Sequence, residues 1–192
     1  MHTLTSSERQ VLQTSEQRQM LDQVLTWAAV NSGSSNLAGL AATAKMLADA
    51  FAVLPGDVAL VAPEPVDRVL PDGSIKTVAH GQHLLVTVRP HSPAQLLFTG
   101  HMDTVFPADH AFQQLRWLED GTLNGPGVAD MKGGISVMLA ALRAAELSGC
   151  LAHTGYQILI NSDEEVGSPS STKLIAELAQ NKLAALTYEP AL

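Results

Sequence analysis

The sequence predicts an α/β protein, a three-layer α/β/α sandwich around a mixed, partly parallel sheet. Three observations predict it. Stretches with apolar residues at helical spacing alternate with short apolar runs, the later runs are nearly continuous in apolar residues as in strands covered on both faces, and glycine, proline and asparagine punctuate the joins.

In chain order, residues 1–14 read as a flexible polar arm. Ser15 is a candidate cap for a helix to about Val30, with Met20, Leu21, Val24, Leu25 and Ala28 on its apolar stripe. "NSGSSN" (31–36) interrupts it, and Asn36 caps a second helix carrying Leu37, Leu40, Ala41, Ala44, Leu47 and Phe51. After Pro55-Gly56 the period changes: "DVALVA", "IKTVAH" and "HLLVTVRP" read as strands, with Pro71-Asp72-Gly73 as a turn. "AQLLF" (94–98) and "YQILI" (156–160) read as buried strands, and "LRWLEDGTLNGPG" as a hairpin around Asp120-Gly121. A helix is expected from Met131 to about Ser148, ended by Gly149. Another opens at Ser168-Pro169 and runs to about Gln180, and "LAALTY" (183–188) is the last strand.

The 192 residues suffice for one well-buried domain and are too few for two ordinary ones. A net charge of -8 without any lysine or arginine cluster argues against nucleic acid and anionic membrane as partners. Cys150 is the only cysteine, so an intrachain disulfide and a thiolate cluster are excluded, and any metal must be held by histidine and carboxylate. The polar N-terminus lacks a signal-peptide core, no apolar run could span a bilayer, and the expected compartment is the cytoplasm.

In such sheets ligands gather at the carboxyl ends of strands. His101 and Asp103 follow the strand at 94–98, and Asp130 lies between the hairpin and the next helix. Glu164 and Glu165 follow the strand at 156–160, and Glu189 follows the strand at 183–188. Taken singly, these are a turn pair, a helix-start aspartate, a solvated acidic turn and a stray glutamate. Four such coincidences at strand ends point instead to a metal site. A two-metal hydrolase needs carboxylates able to bridge ions, a histidine fixed by a carboxylate behind it (Asp103 behind His101), and a free carboxylate for proton transfer. Of the adjacent Glu164 and Glu165, one would bind metal and the other move the proton. Gly125, Gly127, Gly133 and Gly134 around Asp130 suggest close backbone approach there.

"GHMDTV", "GPGVADMKGG", "DEEVGS" and "EPA" resemble, in order and spacing, the motif series of the zinc-dependent metallopeptidase and deacylase family of glutamate carboxypeptidase, acetylornithine deacetylase and succinyl-diaminopimelate desuccinylase. The similarity runs from about residue 15 to the end. It implies two Zn²⁺, with Co²⁺ or Mn²⁺ compatible with the same donors: His101 and Glu189 on one ion, Glu165 on the other and Asp130 bridging. It further implies Asp103 behind His101, Glu164 as general base and a cis peptide after Asp130. The implied activity is hydrolysis of a peptide or N-acyl amino acid, and Glu189 leans toward the carboxypeptidase and deacylase branches.

Members of that family are roughly twice as long, with a lid and dimerisation domain and a final histidine ligand that this sequence does not contain. Residues 15–192 are therefore expected to be the N-terminal part of a catalytic domain whose parent is a homodimer through the lid. The alternative is a non-catalytic metal-binding or interaction fragment. A two-metal phosphatase fits less well, because no arginine or glycine-rich phosphate cradle accompanies the motifs. His80 and His83 are expected as surface hairpin residues, and neither they nor His110 are assigned to the metal.

Overall fold

In a computed structural model, which describes residues 4–14 and 17–190, the chain is a mixed sheet with helices on both faces. Strands β1 (Asp57–Val61), β4 (His83–Val88), β5 (Ala94–His101), β8 (Thr154–Asn161) and β9 (Ala184–Thr187) make one five-stranded sheet in the order β1-β4-β8-β5-β9. The β1–β4 and β4–β8 pairs are antiparallel, whereas β5 runs parallel to both β8 and β9. Two small hairpins flank the sheet: β2 (Val66–Val69) with β3 (Ile75–Val78), and β6 (Arg116–Trp117) with β7 (Leu123–Asn124). The strand β2, which the sequence reading passed over, is the partner that Ile75–Val78 required.

Strand period assigns the layers. Leu84, Val86, Val88, Phe98, Tyr156, Ile158 and Ile160 face one side, where α3 (Leu37–Phe51) and α4 (Gly134–Leu147) pack with Leu40, Leu47, Phe51, Ile135 and Leu139. The opposite side is smaller: Leu97 and Leu159 meet Leu178 of α5 (Thr172–Leu178). Asn36 caps α3 as expected, accepting from the Gly39 N–H. The first two helices are α1 (Ser6–Thr14) and α2 (Gln17–Ala28). Ser15, the expected cap of the latter, lies outside the described residues.

Three expectations are corrected. Residues 6–14, expected within a polar arm, form α1, whose start is a reciprocal capping box: Glu8 N–H donates to Thr5 Oγ1 and Thr5 N–H donates to the Glu8 carboxylate at 2.6 Å. The helix expected from Met131 begins at Gly134, after a wide π-type turn over Val128–Gly133. The helix expected from Ser168 begins at Thr172, because Ser168 sits at φ +57° and its carbonyl accepts the Thr172 N–H. No helix among the described residues is long and apolar enough to cross a membrane.

Candidate metal centre

The parallel strands β8, β5 and β9 lie side by side, so their carboxyl ends open on one rim. His101 closes β5, is 1% exposed, and its backbone N–H donates to Met131 Sδ. Its Nε2 lies 3.0 Å from Asp130 Oδ1, 3.6 Å from Glu189 Oε2 and 3.9 Å from Glu164 Oε2. Potential ligand atoms of His101, Asp130 and Glu165 all fall within 4.8 Å of one another, the spread a shared metal requires. The chain thus brings together all four residues expected to bind metal, with Glu164 on the same rim.

Asp103 sits behind them, 1% exposed. Its carboxylate accepts from the backbone N–H groups of Glu164 and Glu165, each at 3.1 Å, and from Ser34 Oγ at 2.7 Å. The ring Nδ1 of His101 lies 3.0 Å from the Asp103 backbone carbonyl and 3.4 Å from its carboxylate. The carbonyl is therefore the closer acceptor, and the carboxylate's main task is to hold the Glu164–Glu165 turn against β5.

Electrostatics follow from packing imidazole among acids. Burial alone would lower the His101 pKa, but Asp103, Glu189 and Asp130 outweigh it and push it up to about 9. Glu165 and Glu189 are both raised, first by burial and then by neighbouring carboxylates, with His101 opposing. A proton on His101 partly neutralises the metal-free cluster. A divalent cation would do so more completely, and a donor set of one imidazole nitrogen with several carboxylates suits zinc.

The turn carrying Asp130 is fixed from two sides. The Asp130–Met131 peptide is cis, as the resemblance implies. A Cβ on Gly134 would overlap the Tyr188 carbonyl oxygen, so glycine there lets the start of α4 touch the segment that delivers Glu189. Lys132, which sequence reasoning credited with nothing, is 1% exposed and donates from Nζ to the carbonyls of Trp27 and Val30, both at 3.1 Å. It ties the Asp130 turn to the carboxyl end of α2, and burial pulls its pKa down to about 8. Lys132→Met keeps the stem and strands two carbonyls. It should cost roughly 1–3 kcal/mol, read as a lower urea midpoint with unchanged slope.

Asp163, the first residue of "DEEVGS", is fully buried. Its carboxylate accepts from Ser170 N–H, Ser170 Oγ, Ser171 Oγ and Asn161 Nδ2 at 2.6–3.2 Å. The serines of "GSPSS" were the available signal. His83 joins this network: Nδ1 faces Ser162 and Nε2 faces Ser170 Oγ at 3.5 Å. That corrects its expected place on a surface hairpin, and burial lowers its pKa. Burial raises the Asp163 pKa, but the Ser171 and Ser170 hydrogen bonds win and leave it lowered. A depressed folded-state pKa contributes stability above the unfolded value of about 3.9, lost as pH falls through the folded one. Asp163→Asn should therefore cost roughly 1.5–3 kcal/mol at neutral pH, with the difference from wild type shrinking in acid. Thermal melts at pH 3 and 7 read this out.

Residues 97–190 match the model of peptidase family M20/M25/M40. Over that stretch the chain is similar to this family. Among relatives, carboxypeptidase G2 of Pseudomonas sp. is 33% identical over 110 residues, covering 57% of this chain and 26% of that protein. Succinyl-diaminopimelate desuccinylase 2 of Shewanella loihica is 38% identical over 101 residues, covering 47% and 26%. The matched stretch thus spans about a quarter of either relative. In fold, the dipeptidase Dug1p of Saccharomyces cerevisiae superposes with a TM-score of 0.73 at 18% identity, over 95% of this chain and 41% of its own. Human carnosine dipeptidase 1 gives 0.68 at 21% identity, over 92% and 38%.

Proposed function

We propose that this chain supplies most of a two-zinc site of a metallohydrolase acting on the amide bond of a peptide or N-acyl amino acid. The observation that carries the reading is the convergence of His101, Asp130 and Glu165 within 4.8 Å from three segments remote in sequence. His101, Asp130 and Glu189 would hold one ion, and Glu165 with Asp130 the other. Zinc bound there supplies Lewis acidity toward a carbonyl oxygen and lowers the pKa of water to about 7.

The residues of the chain do the rest. Asp103 and its carbonyl orient His101 so that Nε2 faces the cluster. Glu164, half-exposed and turned to the same rim, is placed to take a proton from water and hand it to the leaving nitrogen. Its backbone N–H is held by Asp103, so the base and the ligand beside it are positioned by one anchor. The family match over residues 97–190 and the names of the relatives support amide-bond hydrolysis and leave the acyl group open. Among the described residues, Asp130 and Glu165 are the donors proposed for the second ion.

Zinc content of the purified, metal-reconstituted chain tests the reading. One or more zinc per chain, lost in His101→Ala, is expected. A chain that excludes zinc at neutral pH overturns it, and zinc bound without any turnover by the whole protein favours a binding module instead.

A further inference from the structure

The segment "NSGSSN" (31–36), between α2 and α3, carries no acid, histidine or cysteine, yet it is built against the loop that leaves β5. Gly33 and Thr104 form an isolated parallel bridge, with Thr104 N–H donating to the Ser32 carbonyl and Ser34 N–H to the Thr104 carbonyl. Ser32 Oγ donates to the Met102 carbonyl at 2.7 Å, and Asn31 Nδ2 to the Phe106 carbonyl at 3.0 Å. A Cβ on Gly33 would overlap that same Phe106 oxygen, so glycine is what permits the close approach. Residues 102–106 are thus gripped along their length.

One contact of this segment reaches past the backbone. Ser34 Oγ donates to Asp103 Oδ2 at 2.7 Å, the oxygen that also accepts the Glu165 N–H. The other oxygen, Oδ1, accepts the Glu164 N–H and faces His101 Nδ1 at 3.4 Å. Among the described residues, Ser34 is the only hydroxyl donor to this carboxylate. The terminal torsion of an aspartate is soft, so a carboxylate held by one N–H at each oxygen can still turn. A hydroxyl added at Oδ2 makes a charge-assisted bond that fixes the plane.

We propose that Ser34 is a positioning residue: by fixing the Asp103 carboxylate, it holds the Glu164–Glu165 turn in place against His101. It acts through Asp103 and touches neither metal nor substrate. The proposal rests on the hydrolase reading only for the roles of Glu164 and Glu165; the hydrogen-bond path itself needs no metal.

Amide hydrogen exchange of the metal-free chain, resolved by NMR, tests it with three variants. Ser34→Ala should speed exchange of the Glu164 and Glu165 N–H groups about tenfold relative to the amides of residues 156–160 in β8. Ser34→Thr keeps the hydroxyl and should restore the wild-type pattern, since position 34 borders the open cavity against the β2–β3 hairpin and has room for a methyl. Ser32→Ala removes the hydroxyl that bonds the Met102 carbonyl, and should lower the urea midpoint without singling out the two glutamate amides. Equal acceleration in the Ser32 and Ser34 variants, or none at Glu164 and Glu165 in Ser34→Ala, overturns the proposal. Glu164 and Glu165 amides that exchange unprotected in wild type overturn it without any variant. Ser34→Ala should also weaken zinc binding about three- to tenfold, less than the roughly ten- to hundredfold typical of losing a direct partner of a ligand. Unchanged affinity in a chain whose wild type loads zinc counts against Ser34 equally. Selective acceleration in a chain that takes up no zinc would leave the anchoring by Ser34 standing while the hydrolase reading falls.

Discussion

Replacing Glu164 with glutamine should lower amide hydrolysis by the zinc-loaded protein roughly 10²–10⁴-fold while leaving zinc content unchanged. The two effects separate because Glu164 stands at the rim, 3.9 Å from His101 Nε2, and is not one of the three residues whose ligand atoms cluster within 4.8 Å. Glutamine keeps the shape and the backbone N–H bond to Asp103 but cannot accept the proton. Glu165→Gln should behave in the opposite order, losing metal first. Steady-state rates beside elemental analysis of the same samples decide between them, and equal loss of zinc in both variants would remove Glu164 from the role of base.

Zinc affinity should climb about tenfold per pH unit from pH 6.5 to 8. The His101 pKa is pushed up to about 9, since Asp103, Glu189 and Asp130 outweigh the opposing effect of burial. Across that interval the imidazole of the metal-free chain carries a proton, and Nε2 must release it before it can bind an ion. Above about pH 9 the proton is already gone and the rise should level off. The raised pKa values of Glu165 and Glu189 act in the same direction and steepen the acid end. Competition with a chromophoric chelator at several pH values measures the slope. A flat profile would mean that zinc binds without Nε2 of His101.

Much of this was legible in the sequence, for identifiable reasons. Largely apolar runs such as "YQILI" can be buried on both faces only in a covered sheet, so the layers followed from them. The acidic and imidazole groups stood immediately after such runs, so strand direction alone placed them on a common rim. What escaped was whatever depends on contacts remote in sequence. Lys132 looks like a surface lysine until the turn after α2 is seen beside it, 102 residues earlier at Val30. His83 looks like a turn residue until the neighbouring strand β8 and the turn after it bring Ser162 and Ser170 against it. The β2–β3 hairpin was half read because Val66–Val69 is too short and too polar to announce itself without its partner. The α1 capping box, by contrast, was a local signal left unread: Thr5 and Glu8 stand three residues apart in plain view.

Among the described residues, the strand that delivers Glu189 has a neighbour on one side only, and all four residues of β9 are exposed. It is the part of the rim with the fewest reasons to stay in place. An ion held jointly by Glu189 and His101 would fasten that outer strand to the middle of the sheet, acting as a clasp on the fold as well as a reagent. Slower amide exchange along Ala184–Thr187 would then be a direct gauge of whether the centre is filled.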